Sequence, residues 1–346
     1  MGSCSAPIAV VLLTLPTIAG QAETGTTDRS FATCLAAPTA ACLFAQARAS
    51  AERIERARDR GNALAVIAGD QAAAGDLSGA LATVRQITDA LAQVRALQRI
   101  GTVQAERGDR AGARARFAAA FAAAAQIDGA GERALALAQL ALAQAEWRDA
   151  DTHGTAASAL AAIERLPRPG DRTRALGPLA AGMARDGDIA GAVAAAERIE
   201  VASPRARALA EIALAQRGDI MAVRETFARA LAIADTVAAI DARATLLAEI
   251  ALRQAEADDL PGPHPTLARA IALARRIDEP SFRFGALAEI AAVQARVGDP
   301  EGALATAGMI VSASQTGSVP RRGAARAEAI DAAGFRAEAL AGIGAA

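Results

Sequence analysis

From Arg283 to Ile310 the chain reads RFGALAEIAAVQARVGDPEGALATAGMI. Leu287, Ile290, Ala291 and Gln294 recur at i, i+3, i+4 and i+7, which predicts a helix with one inward face. Gly298-Asp299 ends that helix, because glycine accepts the left-handed C-terminal conformation and aspartate caps the next start. Ala303, Ala307 and Ile310 then line the inner face of a second helix. Two short helices cannot bury their apolar faces alone. They need neighbours.

The same pattern recurs along the chain. A leading leucine stands at Leu64, Leu97, Leu137, Leu176, Leu209, Leu247 and Leu287. Three residues on come Ile67, Ile100, Leu140, Leu179, Ile212, Ile250 and Ile290. Seven after each leucine lies Gln71, Gln104, Gln144, Met183, Gln216, Gln254 or Gln294, expected to hydrogen-bond backbone at the turn. The turn follows as Gly75-Asp76, Gly108-Asp109, Arg148-Asp149, Gly187-Asp188, Asp258-Asp259 and Gly298-Asp299, and two residues early at Gly218-Asp219. Each unit opens from an apolar residue six positions before an arginine or glutamine, as in Ile54/Arg60, Ile87/Gln93, Leu166/Arg172 and Ile277/Arg283. Self-similarity in one register is the mark of a repeat array, here of about seven helix–turn–helix units.

The spacing between leading leucines is 33, 40, 39, 33, 38 and 40 residues. The longer units carry their extra residues in the second helix, since GDRAGARARFAAAFAAAAQID outruns GDLSGALATVRQITD. Seven residues make about two helical turns, so contacts between units keep their register while some second helices project further.

From about Asn62 to Val311 these residues resemble tetratricopeptide repeats. Gly108-Asp109, Ala113, Phe117 and Ala120 follow that family's spacing, as do Gly218, Phe227 and Ala230, with Val223 in place of the alanine after the turn. The family's small residue in the first helix is matched by Ala68, Gly101, Ala141, Ala180, Ala213, Ala251 and Ala291. Its first aromatic is leucine here, its tyrosine is glutamine, and its terminal proline is missing. The resemblance implies an all-α, right-handed solenoid whose first helices line a concave groove that binds peptides or proteins. The implied groove positions hold mostly Ala, Gly and Leu, with Asn62, Arg95, Arg174 and Arg207 near one end and Glu106, Glu146, Arg185, Glu256 and Arg296 at the other. The family's Lys/Asn clamp for a partner's terminal carboxylate is not matched. Arg95, Arg174 and Arg207 are nonetheless suited to grip a partner's carboxylates bidentately, or else they are solvated arginines at helix starts.

Composition adjusts this picture. Apolar residues make up 53% of the 346, aromatics 3%, so helix contacts must be close and small-sided, with Leu, Ile and Val as knobs. All 37 basic residues are arginine, against 38 acidic ones, and the two signs interleave along the chain. That argues against nucleic acid, which demands a basic stripe. Residues 1–22 read as an export signal: an apolar run from Ala6 to Gly20, then small residues and a mature start near Glu23, although no basic residue precedes Arg29. Pro7 and Pro16 and the run's shortness argue against a stable membrane span. The expected location is the periplasm or outside the cell.

Residues 23–61 hold a capping helix preceded by Cys34 and Cys42, which either form a disulfide in an oxidising compartment or pack as two small core residues. Residues 62–311 form the array and 312–346 a degenerate terminal cap. His153 and His264 fall in interhelix loops, and Asp149, Asp151 and His153 lack a second set of metal ligands. Trp147 closes a first helix, as a packing residue or as an exposed anchor. No phosphate loop, nucleophile elbow or zinc-protease motif occurs. The expectation is an exported, non-catalytic interaction scaffold without cofactor, binding a protein or peptide. The alternative is a structural subunit of a larger envelope complex, packing through its convex face or ends.

Overall fold

The computed structural model describes residues 31, 32, 34, 36–258 and 262–315. The expected export segment lies outside the described residues, as does the expected cap beyond residue 315. Every regular element among the described residues is a helix. In order these are α1 (Ala40–Glu52), α2 (Ala57–Ala73), α3 (Leu77–Val84), α4 (Ala90–Glu106), α5 (Arg110–Ala124), α6 (Ala130–Glu146), α7 (Thr152–Glu164) and α8 (Pro169–Asp186). There follow α9 (Ile189–Glu197), α10 (Ala202–Ala215), α11 (Ile220–Asp235), α12 (Ile240–Glu256), α13 (Pro263–Ala274), α14 (Pro280–Arg296) and α15 (Pro300–Gln315). None of the described helices is long and apolar enough to cross a membrane.

Two compact units divide at Ser50 and Ala51. In the first, Cys34 and Cys42 are joined as a disulfide with their Cα atoms 5.8 Å apart. The second unit contains α2 to α15. Within it each even-numbered helix packs against the odd-numbered helix that follows it, and against the next even-numbered helix. The even-numbered helices, which carry the leading leucines, therefore stand side by side from α2 to α14. Leu287, Ile290, Ala291 and Gln294 are all buried, as are Ala303, Ala307 and Ile310 of the helix that follows. The core is mostly alanine, into which Phe117, Phe227, Phe284 and the leading Leu and Ile residues insert. Close approach is the reason for the small residues: a Cβ on Gly101 would stand 2.7 Å from the Phe117 ring, and one on Gly182 3.0 Å from the Leu142 backbone.

The turn chemistry is local and repeated. Gly75, Gly108, Gly187, Gly218 and Gly298 take positive φ, and the aspartate after each caps the next helix through its carboxylate. Asp76, Asp109, Asp188 and Asp299 accept from the backbone N–H of Gly79, Gly112, Gly191 and Gly302, each at 2.8 Å. At these four positions any Cβ would overlap the capping carboxylate, so the turn reads Gly-Asp-x-x-Gly. Where the first glycine is missing, Arg148 and Asp258 are forced into the same left-handed region, at φ 51° and 57°.

The glutamine seven residues after the leading leucine, expected to serve backbone groups at the turn, instead bonds a threonine side chain across the hairpin in four units, while Gln104 Oε1 and Gln144 Oε1 are buried without a partner among the described residues. The hydroxyls of Thr83, Thr266 and Thr306 donate to the Oε1 of Gln71, Gln254 and Gln294 at 2.6, 2.8 and 2.6 Å. The Nε2 of Gln71, Gln104 and Gln294 turns to the capping aspartate. In the trimmed unit Thr226 reaches Gln216 at 2.7 Å. In the Gln71, Gln254 and Gln294 pairs both members are buried, where an amide and a hydroxyl must satisfy each other, while Gln216 is half-buried. The fourth unit replaces the pair wholesale, with Met183 and Ala195 at the same two positions. The repeated arginine has a structural role too. Arg60, Arg172 and Arg283 each donate to the carbonyl six residues back, at 2.8, 2.9 and 2.7 Å, serving an orphan acceptor at the end of the preceding helix.

Second helices differ in length much more than leading ones, from 8 residues in α3 and 9 in α9 to 15 in α5 and 16 in α11. His153 and His264, expected in loops, lie in the first turns of α7 and α13, both exposed. The helix signal begins earlier there than the polar composition suggests, since Thr152 and Pro263 are buried and start the helix.

Two outcomes test this account. Gln294→Met alone strands the buried Thr306 hydroxyl and removes a donor from half-buried Asp299, and costs about 1–3 kcal/mol in urea denaturation. Adding Thr306→Ala rebuilds the Met183/Ala195 arrangement and recovers most of that loss, giving a coupling of roughly 1 kcal/mol in the double-mutant cycle. Separately, Arg148→Gly relieves the left-handed strain and stabilises the protein by about 0.5–1 kcal/mol, visible as a higher urea midpoint.

Candidate functional site

Because the even-numbered helices touch one another in sequence, their outward positions form a continuous face. The residue two after each leading leucine points there: Val66, Arg99, Gln139, Pro178, Glu211, Glu249 and Glu289. The last three copies all place glutamate at this position: Glu211 and Glu249 lie one turn from Arg207 and Arg253, and Glu289 two turns before Arg296. On α10, α12 and α14 these six charged residues line a depression of about 390 Å³. Ala210, Ile250, Ala292 and Val293 form its apolar floor.

Ion pairs run from helix to helix across the face. Arg207 holds both oxygens of Glu249 through Nε and Nη2, the latter at 3.1 Å. Arg253 Nε lies 2.7 Å from Glu211 and its Nη1 bonds Glu256. Arg296 reaches Glu256 at 3.8 Å, and Arg185 joins Glu146 and, at 3.5 Å, Glu211. Glu289 enters none of these pairs. Partial desolvation and then the neighbouring Glu249 carboxylate push its pKa above the usual glutamate value, while Arg207 pulls it back.

The expected groove residues therefore divide. Arg185, Glu146, Glu256 and Arg296 come together in one chain of pairs through Glu211 and Arg253, and Arg207 pairs separately with Glu249. The fork of Arg207 is already occupied by a carboxylate of the same chain. Arg95 instead donates to Asn62 at 3.1 Å, beside a second depression of about 470 Å³ on α4 and α6. That depression is lined by Gln98, Arg99, Gln139 and Glu146 among others, with Arg99 bound to Asp70 at 2.7 Å. Arg174 lies exposed, 4.0 Å from Asp171 on its own helix, and Glu106 is exposed. Neither lines a depression described here.

Glu211, Glu249, Glu289 and Arg253 were missed by the sequence reading. Three glutamates in one register over three consecutive units were the available signal. Trp147 packs on the core at the end of α6, with its indole nitrogen buried. Asp149 spends its carboxylate on the backbone of Asp151 at 2.9 Å, within the turn before α7.

No family model matches the chain, and no curated protein matches it either. Among solved structures it is similar to the crystal structure of Ton1535 from Thermococcus onnurineus NA1. The two are 16% identical over 92% of this chain and 99% of that one, at a TM-score of 0.31, a likeness too loose to carry over a function.

Glu289 gives this site a pH signature. Its folded value lies above its unfolded one, so its contribution to stability is fully present below the unfolded value. It is lost as pH rises through the folded one. Carboxyl NMR should place the Glu289 midpoint above the ordinary value of about 4.3. Arg207→Ala should move it higher and Glu249→Gln lower, and Glu289→Gln should flatten the acid part of the stability profile.

Proposed function

We propose that the chain is a non-catalytic interaction scaffold: a tetratricopeptide-like right-handed solenoid of about seven helical hairpins that binds a protein or peptide along its row of leading helices. The observation that carries the reading is the α10–α12–α14 depression, an apolar floor rimmed by charged groups on rigid helices. Sites of this kind recognise a chain segment by burying its apolar side chains while the rim fixes orientation and excludes mismatched charges. The rim ion pairs are exposed, worth at most about 1 kcal/mol each, so a ligand can rearrange them without unfolding the helices beneath. The side-by-side packing of consecutive leading helices supports the solenoid reading, with each hairpin covering part of the next. Export to an oxidising compartment is supported by the Cys34–Cys42 disulfide.

The test is affinity capture of the tagged protein from cell-envelope extract, read by mass spectrometry, beside a variant carrying Arg207→Ala, Glu249→Ala and Glu289→Ala. The expected outcome is a partner held by the parent and lost from the variant, with helical content and urea midpoint little changed. A partner retained by the variant would assign binding to another face, and recovery of the native protein only in the cytoplasm would overturn the export proposal.

A further inference from the structure

The charges of the depression balance in number but not in pairing. Its lining holds the guanidinium groups of Arg207, Arg253 and Arg296. Against these three stand three carboxylates: Glu249, held by Arg207; Glu211, held by Arg253; and Glu289, left over because Arg296 reaches instead to Glu256, outside the lining. Arg253 is held by two carboxylates and Arg207 by both oxygens of one, so neither is free to turn toward Glu289 without breaking an existing pair. Glu289 nevertheless lines the same hollow as Glu249, above Ala292 and Val293. A carboxylate left over at the rim of an apolar hollow is complementary to one positive charge on an apolar stem.

We propose that the depression on α10, α12 and α14 receives a lysine or arginine side chain of a bound peptide, its methylene stem lying over Ala210, Ala292 and Val293 and its cationic head between Glu289 and Glu249. This inference rests on the binding reading above and gives its specificity. The geometry suits long basic residues because their stems lie along apolar surface while the head remains at a polar rim. The hollow, at about 390 Å³, is large enough for such a side chain and too open to enclose a whole small molecule. An acidic side chain in the same place would face Glu289 and Glu249 with no unpaired guanidinium to receive it, so the site discriminates by repulsion as well as attraction. The incoming cation competes with Arg207 for Glu249, which makes Arg207 a tuning group for the site.

The probe is a set of fluorescein-labelled short peptide pools, neutral at all positions except a central one fixed as arginine, lysine, norleucine or glutamate. Binding to the intact protein is read by fluorescence anisotropy. Arginine and lysine pools should bind roughly fivefold tighter than norleucine, and glutamate weakest. Glu289→Gln should remove the preference for cations while leaving norleucine binding in place. Arg207→Ala should enlarge the preference, a gain that damage to the fold could not produce. Equal affinity across the four pools would overturn this inference and leave the scaffold reading standing. A preference that survives Glu289→Gln would also overturn it, by placing the cation elsewhere. Failure of every pool to bind would count against both readings.

Discussion

A hydrogen bond between a glutamine on one helix and a threonine on the next sets the geometry on which the rest of this protein depends. Alanine-rich helices pack closely but slide easily, because methyl groups offer few distinct notches. The pairs Gln71–Thr83, Gln254–Thr266 and Gln294–Thr306 remove that freedom, since displacing one helix by a single residue would strand two buried polar groups. The same glutamine reaches the capping aspartate, so the turn, the cap and the helix contact are fixed together. With these hairpins held in one register, the outward positions of their leading helices fall into line, and a row of charges becomes a surface.

That surface is chemically mixed around the depression on α10, α12 and α14. Its arginines and glutamates are mostly engaged with one another, which keeps the face hydrated and prevents its apolar floor from becoming a general adhesive patch. An ion-pair network of this sort is a poor source of stability but a good filter, because every candidate ligand must offer something better than the existing partners.

Much of the hairpin organisation was legible in the sequence, because it is encoded by local rules that act over a few residues. Gly298-Asp299 and its equivalents announce both a helix end and a helix start, and the leucine and isoleucine three apart announce the buried face. The partner of each glutamine was harder to see. Thr83 is twelve residues from Gln71, a distance that means nothing until a turn folds one helix onto the other. The site was less legible still. Arg207 was visible as a helix-start arginine, but its occupation by Glu249 depends on two helices 42 residues apart lying side by side. Glu211, Glu249 and Glu289 share a register that could have been read. What the register cannot say is which of the three keeps its charge unanswered, since that follows from the reach of arginines on neighbouring helices.

The exception in the fourth unit has a mechanical meaning. Met183 and Ala195 replace the polar link between α8 and α9 with contacts that have no directional preference, and α9 is only 9 residues long. Pro178 also removes one backbone donor from α8. Under tension or thermal agitation, a chain of latched joints yields where the latch is missing. The α8–α9 hairpin is one such joint and α6–α7, where Gln144 Oε1 has no partner among the described residues, is another, a built-in compliance between stiffer blocks.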